Sequence, residues 1–159
     1  MARRARNAVS RPPPLSPSGP IMHYEAETEG IRVQVRPSFS LARSDPTEGM
    51  FVFSYRIEME NRGAGPARLL FRHWLIHDSV GDDLEVDGEG VVGEQPLLGP
   101  GDAHSYASFC VLRSPAGYME GHYVFSREDG TRFQVAVPRF LLEAPLPARD
   151  DDDRPRVMN

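Results

Sequence analysis

An all-β fold, an antiparallel sandwich of about seven strands, is what this sequence predicts, and three observations predict it. Apolar and polar residues alternate with a period of two through most of the chain. Turns rich in glycine and proline divide the alternating runs, and no stretch carries a helical period. A strand with one face in a core and the other in water reads this way.

Taken in order, residues 1–21 hold Arg3, Arg4, Arg6 and Arg11, no acid, and the run Arg11-Pro-Pro-Pro-Leu-Ser-Pro-Ser-Gly-Pro20. That run cannot pair as a strand. Residues 1–23 are therefore expected to be a disordered Arg/Pro-rich extension, lacking the apolar stretch of a secretory signal. Met22 is the expected native start; an arginine-rich targeting peptide is the alternative.

The body spans residues 24–142, long enough for one hydrophobic core. Ile31, Val33 and Val35 alternate with Arg32, Gln34 and Arg36, and Phe39 continues their face. Phe51, Phe53, Tyr55, Ile57 and Met59 alternate with Ser54, Arg56, Glu58 and Glu60, and Asn61-Arg-Gly-Ala-Gly-Pro66 ends that strand. The strand from Ala67 to Asp78 is apolar on both faces: Leu69, Phe71, His73 and Leu75 on one, Leu70, Arg72, Trp74 and Ile76 on the other. A central strand with Trp74 in the core puts the His73 face outside. The competing reading leaves an exposed apolar patch with Arg72 as a binding surface. The strand from His104 to Leu112 is two-faced as well and carries the lone Cys110, read as a small buried hydrophobe. Met119, Tyr123 and Phe125 alternate with Glu120, His122 and Ser126, then Phe133, Val135 and Val137 with Arg132, Gln134 and Ala136. Asp129-Gly130 between them predicts a type I′ hairpin turn. Beyond Leu142, Pro145, Pro147 and Asp150-Asp-Asp-Asp153 predict a disordered acidic tail over residues 143–159.

Leu98-Gly-Pro-Gly101 followed by Tyr106 narrows the fold. Immunoglobulin-like and fibronectin type III-like sandwiches place such a motif at the corner between sheets, with a tyrosine that bonds back across it. Tyr106 comes two residues later than usual, which keeps it on the same strand face.

Composition excludes several function classes. The chain has 159 residues, which suits one domain with tails. No run of about 18 apolar residues exists, so no membrane-spanning helix is expected. One cysteine allows no internal disulfide. All 18 basic residues are arginine, which removes lysine Schiff-base and P-loop chemistry. The formal charge is −5, and without the four arginines of residues 1–21 it is −9. So acidic a body argues against nucleic-acid binding. The expected location is the cytoplasm.

Gly88-Glu-Gly90-Val-Val-Gly93 matches G-x-G-x-x-G, which cradles a pyrophosphate where a strand meets a helix. Here Pro96 and Pro100 forbid the helix, Glu89 and Glu94 repel phosphate, and Ser108 stands where a ribose-reading acid belongs. The plainer reading is a glycine-bent connection shaped for packing or for a partner. Among the histidines, His73 and His77 share a strand face but lie roughly 13 Å apart, too far to share an ion. His104 and His122 have no cysteine or second histidine beside them in sequence, and no zinc spacing appears. Glu85, Glu89, Glu94 and Glu120, drawn from separate strands, are the one carboxylate set that would suit magnesium.

Arg72-His-Trp74, Gly88-Glu-Gly-Val-Val-Gly-Glu-Gln-Pro96, Leu98-Gly-Pro-Gly101 and Met119-Glu-Gly121, with Asp45-Pro46 and Pro138-Arg-Phe140, resemble the ApaG family over about residues 31–142. The resemblance implies a single fibronectin type III-like sandwich. The family label is association with cobalt and magnesium efflux, its gene often neighbours one for a diadenosine tetraphosphate hydrolase, and a similar eukaryotic domain is joined to an F-box. It supplies no catalytic residues and no cofactor. The expected function is thus a noncatalytic protein-interaction module, indirectly linked to divalent-cation homeostasis. Its partner is an unidentified protein or a second copy as a homodimer, and its expected surface is Arg72, His73, Trp74, Gly88, Glu89, Gly90, Gly93, Glu94 and Gln95. The alternatives are nucleotide or dinucleoside-polyphosphate binding, with Arg68 and Arg72 countering the phosphates, and direct divalent-metal sensing.

Overall fold

The computed structural model describes residues 23–81 and 83–145. The expectations for the two tails fall almost wholly outside the described residues. Among the described residues nine strands form: β1 (Tyr24–Thr28), β2 (Ile31–Asp45), β3 (Met50–Asn61), β4 (Ala67–Asp78), β5 (Leu84–Glu89), β6 (Leu97–Leu98), β7 (Ala103–Leu112), β8 (Ala116–Arg127) and β9 (Arg132–Glu143). Sheet A runs β1-β2-β3-β7, and sheet B runs β5-β4-β8-β9 with β6 also on β4. Every pairing is antiparallel. Among the described residues the only helical piece is a 3₁₀ turn, Pro46–Glu48. The fold is the predicted sandwich. The strands missing from the sequence reading are short: β1, which pairs with β2 through the tight Glu29-Gly30 turn, the six-residue β5, and the two-residue β6.

The alternating residues meet between the sheets. Ile31, Val33, Val35, Phe53, Ile57, Met59, Tyr123, Phe125, Val135 and Phe140 are all buried. Trp74 is buried with them, its ring packed edge-on against Tyr55, Tyr123 and Phe140. It is therefore not part of any contact surface, and the competing reading of an exposed Trp74 patch fails.

Strict alternation also fails in β4. Leu69 and Trp74 both point inward although their positions differ by five, and two inward residues of one regular strand are an even number apart. A bulge at Leu70 supplies the extra residue, visible as a register shift against β8 between Leu69 and Phe71. A second shift between Met119 and Gly121 places Pro138 and Arg139 in a bulge of β9, where a missing N–H disturbs no ladder.

Two turns differ from expectation. Asp129-Gly130 does not form a type I′ turn. Gly130 alone has a positive φ, +89°; its N–H bonds to the Arg127 carbonyl (2.9 Å), and the Arg127 N–H to Thr131 (2.8 Å). That is a three-residue loop with a glycine bulge, which needs only one left-handed residue. Tyr106 does not bond back across the corner either. Its hydroxyl meets that of Tyr123 at 2.6 Å inside the core, and burial raises both phenols far above their ordinary pKa.

At the far end of β4, Asp78 joins the β7–β8 connection. Its carboxylate accepts from the Arg113 N–H (2.6 Å), the Ser114 hydroxyl (2.7 Å) and the Val80 N–H (3.3 Å). Burial alone would raise its pKa, but the bonds from Ser114, Arg113 and Val80 and the Arg113 charge outweigh burial and hold it below the ordinary 3.8. A depressed folded pKa stabilises the fold above the unfolded value and ceases to do so as pH falls through the folded one. Asp78→Asn is expected to cost about 1–3 kcal/mol at neutral pH. In urea melts that deficit should shrink as pH drops below about 4.

Candidate functional site

The expected surface centres on the segment between β5 and β6, and β4 explains its shape. β5 pairs with β4 at Phe71–Ile76 and β6 pairs with Ala67–Arg68, so residues 90–96 pass the bulge at Leu70. There they lift off the sheet edge as a small hairpin. The Leu70 carbonyl accepts both the Gly90 N–H (2.8 Å) and the Gln95 side-chain amide (2.9 Å), and the Leu69 N–H reaches Pro96 (3.0 Å). Val91 and Glu94 exchange backbone bonds of 2.8 and 3.0 Å across a two-residue turn, Val92-Gly93. Val91 is buried in the core, while Val92 stands out 65% exposed.

Both arginines tie this hairpin down. The inward-facing Arg72 lies over Gly88 and gives its guanidinium to the carbonyls of Glu89 (2.9 Å) and Gly90 (2.8 Å). Gly88 has to be glycine for that, because a Cβ would sit 2.6 Å from the guanidinium carbon. Arg68 donates to the Gln95 carbonyl at 3.0 Å. The guanidinium donors expected to counter phosphates thus face the loop's own carbonyls, and no helix follows Gly93. The nucleotide reading finds no support in this geometry.

Beside the hairpin, the outer face of sheet B gathers the remaining chemistry. His73 Nδ1 meets Asp87 at 2.5 Å and its Nε2 lies 3.6 Å from Glu85. The rings of His73 and His122 stack with centroids 5.1 Å apart. Burial holds His122 below the usual histidine range, and the neighbouring His73 adds to this. Arg139 bonds Glu120 at 2.7 Å and lies over the Tyr118 ring, which stacks on His77. His77 meets Asp83 at 2.6 Å. An open hollow of about 460 Å³ runs between His73, Glu120, His122 and Arg139, and one of about 380 Å³ between Phe71, Asp87 and Glu89.

Of the expected surface residues, Glu89, Gly93, Glu94 and Gln95 are exposed, Arg72, His73 and Gly88 are half-buried, and Gly90 and Trp74 are buried. Asp87, His122 and Arg139 join the surface unforeseen. They sit on three different strands, and only the register of β4 with β5 and β8, and of β8 with β9, brings them together. The carboxylates Glu85, Glu89, Glu94 and Glu120 do not converge. Among the described residues no three His, Cys, Asp or Glu side chains gather as metal ligands do. The Cys110 thiol is pushed up to about 11, first by burial and then by the Asp78 charge, so it stays protonated at neutral pH.

Comparison with known proteins bears on the same region. A family model described as ApaG domain matches residues 41–127, which include β4, the hairpin and all of β8. The chain is 47% identical over 122 residues to Protein ApaG of Methylobacterium sp. (strain 4-46), covering 77% of this chain and 94% of that one. It is 48% identical over 120 residues to Protein ApaG of Anaeromyxobacter dehalogenans (strain 2CP-C), covering 76% and 94%. A crystal structure described as the ApaA protein of Bordetella pertussis superposes with a TM-score of 0.71 at 39% identity, over 81% of this chain and 98% of that one. Among the described residues no helix is long and apolar enough to cross a membrane.

Proposed function

This chain belongs to the ApaG family, and on that premise we propose that it is a noncatalytic protein-interaction module whose contact surface is the residue 90–95 hairpin with the histidine-bearing outer face of sheet B beside it. Val92 carries the reading. It is apolar, exposed and β-branched, and it holds a φ of +48°, where such a residue is strained by about 1–2 kcal/mol. Asparagine or glycine would suit the turn better. Folding thus gains nothing from an outward valine at this point, whereas a partner does. The hairpin beneath is held by the Arg72, Arg68 and Gln95 bonds, so little order has to be imposed on binding.

A part in cobalt or magnesium efflux, on this reading, runs through the partner and not through an ion held by this chain. Val92→Asn tests the proposal in two directions at once. The variant is expected to gain about 1 kcal/mol of stability from the relieved turn. Used as bait in lysate of the source cells, it should lose a partner that the unaltered protein captures. Capture that is equal for both baits, or absent with the unaltered protein, defeats the proposal.

A further inference from the structure

Sandwiches end in edge strands, and unpaired edges invite pairing with other chains unless something blocks them. Three of the four edges here are blocked. β5 is six residues long and carries Glu85, Asp87 and Glu89. β1 has five residues with Glu25 and Glu27. β9 carries Arg132, Pro138 and Arg139 with a bulge, and it is sewn to β1 across the sandwich: the Leu141 N–H donates to the Tyr24 hydroxyl and the Ala136 N–H to Thr28, each at 3.2 Å.

β7 has none of these devices. Its sequence AHSYASFCVL runs ten residues without Asp, Glu, Arg or Pro, and its ladder with β3 is continuous. Among the described residues nothing pairs with its other edge. Its outward side chains grade along the strand, from Ala103, Ser105 and Ala107 to the half-exposed Phe109 and Val111.

We propose that β7 is a self-association edge, on which a second copy of this chain pairs its own β7 antiparallel about a two-fold axis near Ala107. The gradient suits that partner. A register centred on Ala107 sets Phe109 across from Ser105 and Val111 across from Ala103, large against small, and leaves a methyl group on the axis. Charge suits it as well. In a body of net −9, this neutral strand lets two copies approach without a row of facing carboxylates. Two four-stranded sheets then join edge to edge. The Val92 hairpin lies on sheet B, so this proposal and the one above can fail separately.

Sedimentation velocity on the full chain tests it. The expected species at high micromolar concentration has twice the 17.8 kDa chain mass. Ala107→Lys places like charges face to face and should return the mass to one chain, with an unchanged circular dichroism spectrum. Ala107→Glu should do the same, and mixing the two variants should restore the doubled mass. Phe109→Ser provides a neutral second variant, expected to weaken the dimer about tenfold. An unaltered protein that stays monomeric into the millimolar range overturns the proposal. So does a dimer that Ala107→Lys leaves intact, since that dimer uses another face.

Discussion

Asn61→Ala is expected to cost about 3–5 kcal/mol, a large part of the stability of an ordinary domain. Asn61 is almost fully buried at the end of β3, and every polar atom of its side chain is satisfied. Its amide donates to the carbonyls of Gly65 (2.8 Å) and Leu98 (2.9 Å), and its side-chain oxygen accepts the Gly63 N–H (2.9 Å). Its backbone bonds Asp102 and Gly101 as well. One residue thus fastens the β3–β4 turn to the Leu98-Gly-Pro-Gly101 corner. Alanine leaves three partners of the side chain unpaired in a site water barely reaches, which costs more than the bonds themselves contribute. Equilibrium urea unfolding measures the loss. Asn61→Asp should not recover it, because a carboxylate can still accept from Gly63 but cannot donate to the two carbonyls, and as a buried charge it is repelled by them.

Gly121→Ala is expected to be comparably damaging, about 3 kcal/mol or more, through packing instead of hydrogen bonding. Gly121 pairs with Trp74 beside the β9 bulge. A Cβ there would stand 2.0 Å from the His73 carbonyl oxygen and 3.2 Å from the Trp74 Cα. Both are backbone atoms, so no rotamer change relieves the clash and β4 must separate from β8. The melting temperature should fall steeply. Gly93→Ala makes a useful contrast, because no atom lies within 4 Å of its added Cβ and only the strain of a +79° φ remains, about 1 kcal/mol.

Much of this was legible in the sequence because burial has a period. Ile31 to Val35 and Phe51 to Met59 display the core face of β2 and β3 outright, and the two-faced pattern of β4 signals a central strand over Trp74. What escaped depends on where one strand stops against another. The bulge at Leu70 follows from the odd spacing of Leu69 and Trp74, yet nothing local says which of the apolar residues between them turns out. The hairpin exists because β5 and β6 share that broken edge: Pro96 and Glu94 speak against a phosphate loop in the sequence alone, but the inward bonds of Arg72 and Arg68 that shape the glycine-bent connection depend on the fold. His73 and His122 lie 49 residues apart in the sequence and touch only through the β4–β8 register. Asn61 resembled any turn asparagine, and its bond to Leu98 spans 37 residues that no pattern connects.

The seam between β1 and β9 also governs time. Tyr24 and Leu141 meet across a separation of 117 residues. Until the whole intervening chain is in place, that contact returns nothing for the entropy its closure removes. A sandwich of this kind should therefore refold in milliseconds to seconds, with the joining of its first and last strands among the late events. During that interval the edges of β1 and β9 stand open together with that of β7, and a nascent or refolding chain is most exposed to wrong partners.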